Sequence, residues 1–200
     1  MKESKRECVL RLLNKSGVLR PRDLQKIGVS GTYLNKLHAD GVVERVSRGL
    51  YTKKGSQPSE RRTMAEASKR VPRGTICLLS ALQFHGLTTE APFEIWMAID
   101  EKSRAPCVSY PPLRIVRFSG QALAYGVEKH EIDGVVVPIY SPSKTVADCF
   151  KYRNKIGLDV AIEALRDALR QRKATRDQLW TAAKVCRMAN VMRPYLEAVT

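Results

Sequence analysis

Over the first fifty residues the hydrophobic positions keep helical spacing and then switch to alternation. Between Glu3 and Asn14, Val9, Leu12 and Leu13 recur among charged residues, which predicts an amphipathic helix resting on a small core and ended by Ser16-Gly17. Pro21 stands where a first helical turn tolerates proline, and Leu24 and Ile27 supply the buried face of a short second helix that stops at Gly28. Ser30 is the expected N-cap of a third helix running to about Ala39, with Leu34 and Leu37 turned inward and Gly41 closing it. Residues 42–46 then read as a strand, Ser47-Arg48-Gly49 as a turn and residues 50–52 as the return strand. Helix, short helix, tight turn, helix and hairpin is the order of a winged helix-turn-helix, with the hairpin as its wing.

Lys53 to Ser59 is polar and rich in chain breakers, so a domain boundary is expected there, between residues 1–56 and 57–200. A helix from Glu60 to Val71, with Met64 and Ala67 inward, ends at Pro72. Thr75 to Phe84 reads as a buried helix closed by Gly86. Three strand candidates follow, Phe93 to Ile99, Leu113 to Phe118 and Gly134 to Tyr140, punctuated by Pro111-Pro112 and Asp133-Gly134. Ser141-Pro142 opens a helix with the stripe Val146, Ala147, Cys149 and Phe150. Another spans Leu158 to Gln171 with Ile162, Leu165 and Leu169 as its core face, and a capping box of Thr175 and Gln178 starts a last helix ending near Asn190. The fold class expected is therefore α+β: an N-terminal winged helix-turn-helix joined to a mixed α/β C-terminal domain with a small central sheet.

Charge adds a partner to this picture. The chain holds 35 Lys and Arg against 20 Asp and Glu, a formal charge of +15, which favours a polyanion. Residues 1–62 hold 15 basic and 6 acidic side chains, so most of the excess lies on the N-terminal module. In a winged helix the third helix enters the major groove, which makes Ser30, Thr32, Tyr33, Asn35 and Lys36 the candidate base-reading residues. Asn35 has the donor and acceptor to pair bidentately with adenine, and Lys36 reaches guanine or a phosphate. Arg45 and Arg48 on the wing, and Arg20 and Arg22 at the start of the second helix, are candidate clamps on the DNA backbone. His38 reads as an exposed or core-edge residue rather than a DNA contact.

Three strings together resemble the AbiEi-type antitoxins of type IV toxin-antitoxin systems: Arg45-Val46-Ser47-Arg48-Gly49-Leu50-Tyr51, then Leu79-Ser80-Ala81-Leu82 with His85-Gly86-Leu87, then Ser141-Pro142-Ser143-Lys144-Thr145-Val146-Ala147-Asp148-Cys149. The resemblance implies a winged helix that binds double-stranded operator DNA and represses its own operon. It further implies a C-terminal antitoxin domain that opposes a nucleotidyltransferase-like toxin without requiring a stable complex with it.

A strand ending in Asp100-Glu101-Lys102, with Glu94 upstream, has the elements of a metal-dependent nuclease hairpin, and this is the enzymatic alternative; a charged strand end is the plainer reading. A module that neutralises a toxin by direct contact is the other alternative. Lys144, Lys151 and Arg153 form a candidate antitoxin or nucleic-acid surface, and Lys144 with Asp148 reads as a surface ion pair at i, i+4. His85 and His130 lack partners at metal-ligand spacing, and no phosphate loop or catalytic triad is present, so neither a cofactor nor a catalytic residue is assigned. Cys8, Cys77, Cys107, Cys149 and Cys186 are scattered and read as small apolar fillers. No apolar run reaches membrane-spanning length and the N-terminus does not read as a signal peptide, so a cytoplasmic protein is expected.

Overall fold

The computed structural model describes residues 4–55 and 61–199 as a mixed α/β protein. The chain divides into two compact units, Met1–Pro72 with His130–Val137, and Arg73–Lys129 with Pro138–Thr200.

In the first unit, α1 (Lys5–Ser16) starts from a reciprocal cap in which Glu7 N donates to Ser4 Oγ and Ser4 N donates to Glu7 Oε2. Then come β1 (Val18–Leu19), α2 (Pro21–Gln25), α3 (Tyr33–Ala39), β2 (Val43–Ser47) and β3 (Leu50–Lys53). The strands form an antiparallel sheet in the order β1-β3-β2, with Leu19 and Arg45 on either side of Tyr51. Val9, Leu13, Leu24, Leu34, Leu37 and Tyr51 are the centre of its core.

β1 was not expected, because two residues carry no periodicity; its partner strand defines it. Two further expectations are corrected. Ile27 is 37% exposed, since α2 ends at Gln25 and Ile27 lies in the turn that follows it. Ser30 is not the N-cap of the third helix: it lies two residues further out, its hydroxyl 2.8 Å from Thr32 Oγ1, and α3 begins only at Tyr33.

The expected boundary at 56/57, and Glu60 with it, lie outside the described residues. α4 (Arg62–Arg70) follows them, with Met64 and Ala67 buried as the pattern predicts. It belongs to the first unit, held there by Arg70 Nη2 donating to Ser47 Oγ at 2.8 Å and by Lys69 facing Asp23 at 3.6 Å, so the two units divide after Pro72.

The rest of the chain forms β4 (Thr75–Ile76), α5 (Leu78–His85), β5 (Ile95–Asp100), β6 (Leu113–Phe118), α6 (Gly120–Ala124), β7 (Val127–Ile132) and β8 (Val135–Tyr140). After these come α7 (Pro142–Lys151), α8 (Arg153–Ile156), α9 (Leu158–Arg170), α10 (Arg176–Val185) and α11 (Ala189–Ala198). The second sheet runs β6-β5-β4-β8-β7, with β5 parallel to β6, β4 parallel to β8 and β4 antiparallel to β5. β7 escaped the sequence pattern because its side chains are mostly polar and exposed, the composition an edge strand tolerates. It joins β8 through Asp133-Gly134, both at positive φ, the geometry of a two-residue type I′ turn. Within the first unit this turn meets the end of α1 so closely that a Cβ on Gly17 would lie 1.6 Å from the Asp133 carbonyl oxygen.

The helix expected from Thr75 begins instead at Leu78, because the Thr75-Ile76 pair bridges two strands. Phe93 is 90% exposed and precedes β5 rather than opening it. The final helix expected near Asn190 is two helices, α10 and α11, the second accommodating Pro194 inside it. α7 is the hub: residues 143–150 are all buried, and α5, α9 and α10 pack against it. α9 turns Ala161, Ala164, Leu165 and Ala168 inward while Ile162 and Leu169 sit at the rim, a rotation from the expected face that lets alanines bring two helices close. Cys77, Cys149 and Cys186 are buried as fillers, whereas Cys8 is half-buried and Cys107 is exposed, in a loop no core reaches.

Candidate nucleic-acid interface

α3 offers one apolar and one polar face. Leu34 and Leu37 are buried in the first unit's core, which leaves Thr32, Asn35 and Lys36 exposed on the opposite side. Tyr33 is half-buried against the core, so its ring anchors the start of the helix. Ser30 is exposed in the turn before it. Asn35 is tied to the hairpin: the Tyr51 hydroxyl donates to its Oδ1 at 2.6 Å. His38 makes a second tie, its Nδ1 lying 3.1 Å from the Val43 carbonyl oxygen.

The β2–β3 hairpin carries Arg45 and Arg48, both exposed. A register shift between Arg45 and Ser47 places an extra residue in β2, and Gly49, at φ +72, makes the turn beside Arg48. Ser47 itself is held by Arg70.

The two arginines before and in α2 have different environments. Arg22 is exposed. Arg20 is engaged: its Nη2 lies 3.1 Å from Asp23 Oδ1, its Nε 3.3 Å from Asp23 Oδ2, and its Nη1 donates to the Lys69 carbonyl. Burial pushes the Asp23 carboxyl up, but the hydrogen bonds from the Arg20 side chain and backbone, with the nearby Lys69 ammonium, outweigh it and hold the group below the usual aspartate range. Arg22, Gln25 and Lys26 join Arg20, Asp23 and Pro72 around a recess of about 590 Å³. Sequence reasoning missed Lys26, although its i+4 spacing from Arg22 is the signal that sets both on one side of the helix.

The residues singled out in the C-terminal part do not form a surface. Lys144 is fully buried, so the expected surface ion pair is corrected: Lys144 Nζ donates to Asp148 Oδ2 inside the core and lies 4.6 Å and 4.3 Å from the ring centroids of Phe118 and Tyr140. The reason is that residues 143–150 of α7 are all enclosed, so a lysine within that stretch has no route to water. Burial pushes the Asp148 carboxyl up, against the Lys144 ammonium and a hydrogen bond from the Cys186 thiol. Lys151 is exposed, with its Nζ 5.8 Å from the Phe118 ring centroid, while Arg153 Nη1 donates to the Phe150 carbonyl at 2.9 Å and so caps the end of α7.

The acidic residues considered for a nuclease hairpin have other partners. Glu94 pairs with Arg114 at 3.3 Å, and Asp100 Oδ1 accepts from Lys102 N at 2.8 Å in the turn that ends β5; Glu101 is exposed. His85 Nε2 lies 2.8 Å from the Tyr140 carbonyl oxygen, and His130 is half-buried. Among the described residues no group of three or more His, Cys, Asp or Glu is placed to hold a metal ion, and no helix is long and apolar enough to cross a membrane.

Residues 9–52 match the family described as transcriptional regulator, AbiEi antitoxin. The matched stretch runs from within α1 through most of β3, including the string Arg45 to Tyr51, so the resemblance read from the sequence holds there. No curated protein matches the chain. Among solved structures, the fold is similar to the crystal structure of the RV2827C protein from Mycobacterium tuberculosis, with a TM-score of 0.60 at 11% identity, over 100% of this chain and 79% of that one. At that identity the likeness is one of fold.

Proposed function

We propose that the chain is a DNA-binding transcriptional repressor whose N-terminal module acts as a winged helix-turn-helix. The observation that carries this reading is the exposed polar face of α3, bearing Thr32, Asn35 and Lys36, next to a hairpin that bears Arg45 and Arg48, within the stretch that matches the AbiEi regulators. α3 would enter the major groove and the hairpin would straddle the backbone beside it. Arg22 and Lys26 would contact phosphates, while Arg20, occupied by Asp23 and Lys69, would orient α2. Ser30 and Tyr33 would stand at the entry of the helix into the groove.

The biological role we infer is that of a type IV antitoxin. The module of residues 1–56 would autoregulate the operon, and the remainder, residues 57–200, would counteract a nucleotidyltransferase-like toxin without a stable complex and without catalysis. The match over residues 9–52 supports the regulatory half of this reading.

Binding of the full chain to its own promoter fragment and to a scrambled fragment, each across a salt series, tests it. With about six to ten phosphate contacts, affinity falls roughly 10³- to 10⁵-fold between 50 and 200 mM salt. Retention of a large promoter preference at the higher salt is the expected result. Equal affinity for both fragments, or none, removes the repressor reading.

A further inference from the structure

Outside the N-terminal module the excess positive charge is concentrated in one place. Residues 63–200 contain 20 basic and 14 acidic side chains, and the segment 170–193 alone contains 7 basic and 1 acidic, so the whole net excess of +6 falls within it. Arg172, Lys173, Arg176, Lys184, Arg187 and Arg193 are all exposed. A merely solvated helix face interleaves its signs, as α9 does with Asp159, Glu163, Arg166, Asp167 and Arg170. From Arg172 to Arg193, by contrast, six basic residues stand against one acidic residue, Asp177.

At its centre is an aromatic ring. Trp180 packs partly on the second unit's core and is partly open to solvent, with Lys184 Nζ and Arg193 Cζ each 5.5 Å from the ring centroid. Among the described residues neither cation is drawn into an ion pair. The ring borders a cleft of about 260 Å³ lined by Arg176, Asp177, Trp180, Arg193, Leu196 and Glu197. Arg176 fixes its walls, donating through Nη1 to the Leu196 carbonyl at 2.9 Å and through Nη2 to the Val199 carbonyl.

We propose that this cleft is a second nucleic-acid site, specific for single strands, with Trp180 stacking one base and Lys184, Arg187 and Arg193 holding the flanking phosphates. An indole between two cations is an electron-rich face already used for stacking; an incoming base replaces one cation on the ring, and the released cation pairs with phosphate. Asp177 and Glu197 accept hydrogen bonds from N–H groups on the base edge. Duplex DNA keeps its bases stacked on each other and offers no face to the indole, which is why an aromatic platform selects unpaired strands. The site belongs to the second unit, α3 and the β2–β3 hairpin to the first, and it does not depend on the operator-binding reading.

The test is a fluorescence titration of the full chain with a mixed-sequence 12-nucleotide RNA, the DNA of the same sequence and its duplex. Trp96 is buried, so quenching reports on Trp180. Single strands are expected to quench it. Trp180→Leu is expected to weaken single-strand binding about 5- to 100-fold, as loss of one stacked base does, measured by anisotropy of a labelled strand. Trp180→Phe recovers most of that loss, and Lys184→Glu with Arg193→Glu abolishes single-strand binding. The far-UV circular dichroism and the thermal midpoint of these variants stay at the wild-type values, which shows that the second unit folds. Preference for RNA, for DNA or for neither all support the site and report its response to the 2′-hydroxyl. Binding of the duplex alone, absence of quenching, or single-strand binding that survives both Trp180→Leu and the charge reversal overturns it.

Discussion

The Tyr51 hydroxyl donates a 2.6 Å hydrogen bond to Oδ1 of Asn35, joining the return strand of the hairpin to the exposed face of α3. Bidentate pairing with adenine needs that oxygen as an acceptor for N6–H and the amide nitrogen as a donor to N7. Oδ1 keeps a second lone pair, so the Tyr51 bond orients the Asn35 amide without removing its capacity to accept from N6–H while its nitrogen donates to N7. The same bond ties the helix to the hairpin.

Tyr51→Phe is accordingly expected to lower stability by about 0.5–1.5 kcal/mol, the net worth of one hydrogen bond. Asn35→Ala should cost a similar amount, and the double variant little more than either, a coupling of about 1 kcal/mol in a urea-denaturation cycle. Additive losses would show that the bond contributes nothing in solution.

Lys36→Ala and Arg48→Ala separate reading from holding. Arg48, at the hairpin tip, should weaken promoter and scrambled fragments alike and reduce the slope of log affinity on log salt by about one. Lys36, if it reaches a guanine edge, should cost about 1–3 kcal/mol on the promoter alone. Mobility-shift titrations at two salt concentrations distinguish these outcomes.

Asp23 links the first unit's stability to acid. Its folded carboxyl lies below the ordinary value of 3.8. Such a group contributes stability that is present above the unfolded value and is lost as pH falls through the folded one. Asp23→Asn is expected to lower the urea midpoint at pH 7 and to flatten the fall in stability below about pH 4. An unchanged acid limb in the variant would mean that other carboxylates govern it.

The buried pair in α7 should behave oppositely to a surface one. Lys144→Met strands a buried carboxyl and is expected to destabilise by about 3–5 kcal/mol, whereas Lys144→Met with Asp148→Leu should recover most of the loss. Burial already pushes Asp148 above its ordinary value, so the stranded carboxyl favours its protonated form. The loss in Lys144→Met therefore grows as pH rises from the unfolded carboxyl value through the folded one. Thermal melts at pH 5 and pH 8 check the direction.

Much of the first unit was legible because its signals are local. The spacing of Val9 and Leu13, the pair Leu34 and Leu37, and Gly49 beside Arg48 each specify an element through neighbours close in sequence, and α1, α3 and the β2–β3 hairpin stand where those signals put them. The exposed side of α3, with Asn35 and Lys36, follows from the same period. Local signals ran out where partners are distant. β1 exists only through pairing with β3, and β4 only through pairing with β5 and β8, twenty-odd to sixty-odd residues away. β7 is a strand despite a polar sequence because the edge of a sheet accepts one.

Side-chain roles depended still more on tertiary packing. Arg20 and Arg22 are equivalent in sequence, yet one is bound by Asp23 and Lys69 and the other faces solvent. Lys144 and Asp148 have the spacing of a surface pair, and only the enclosure of α7 by α5, α9 and α10 makes them a core pair. Periodicity records which residues share a face of a helix. It does not record how many faces the rest of the chain will cover, because burial is the sum of contacts made by segments far apart in sequence.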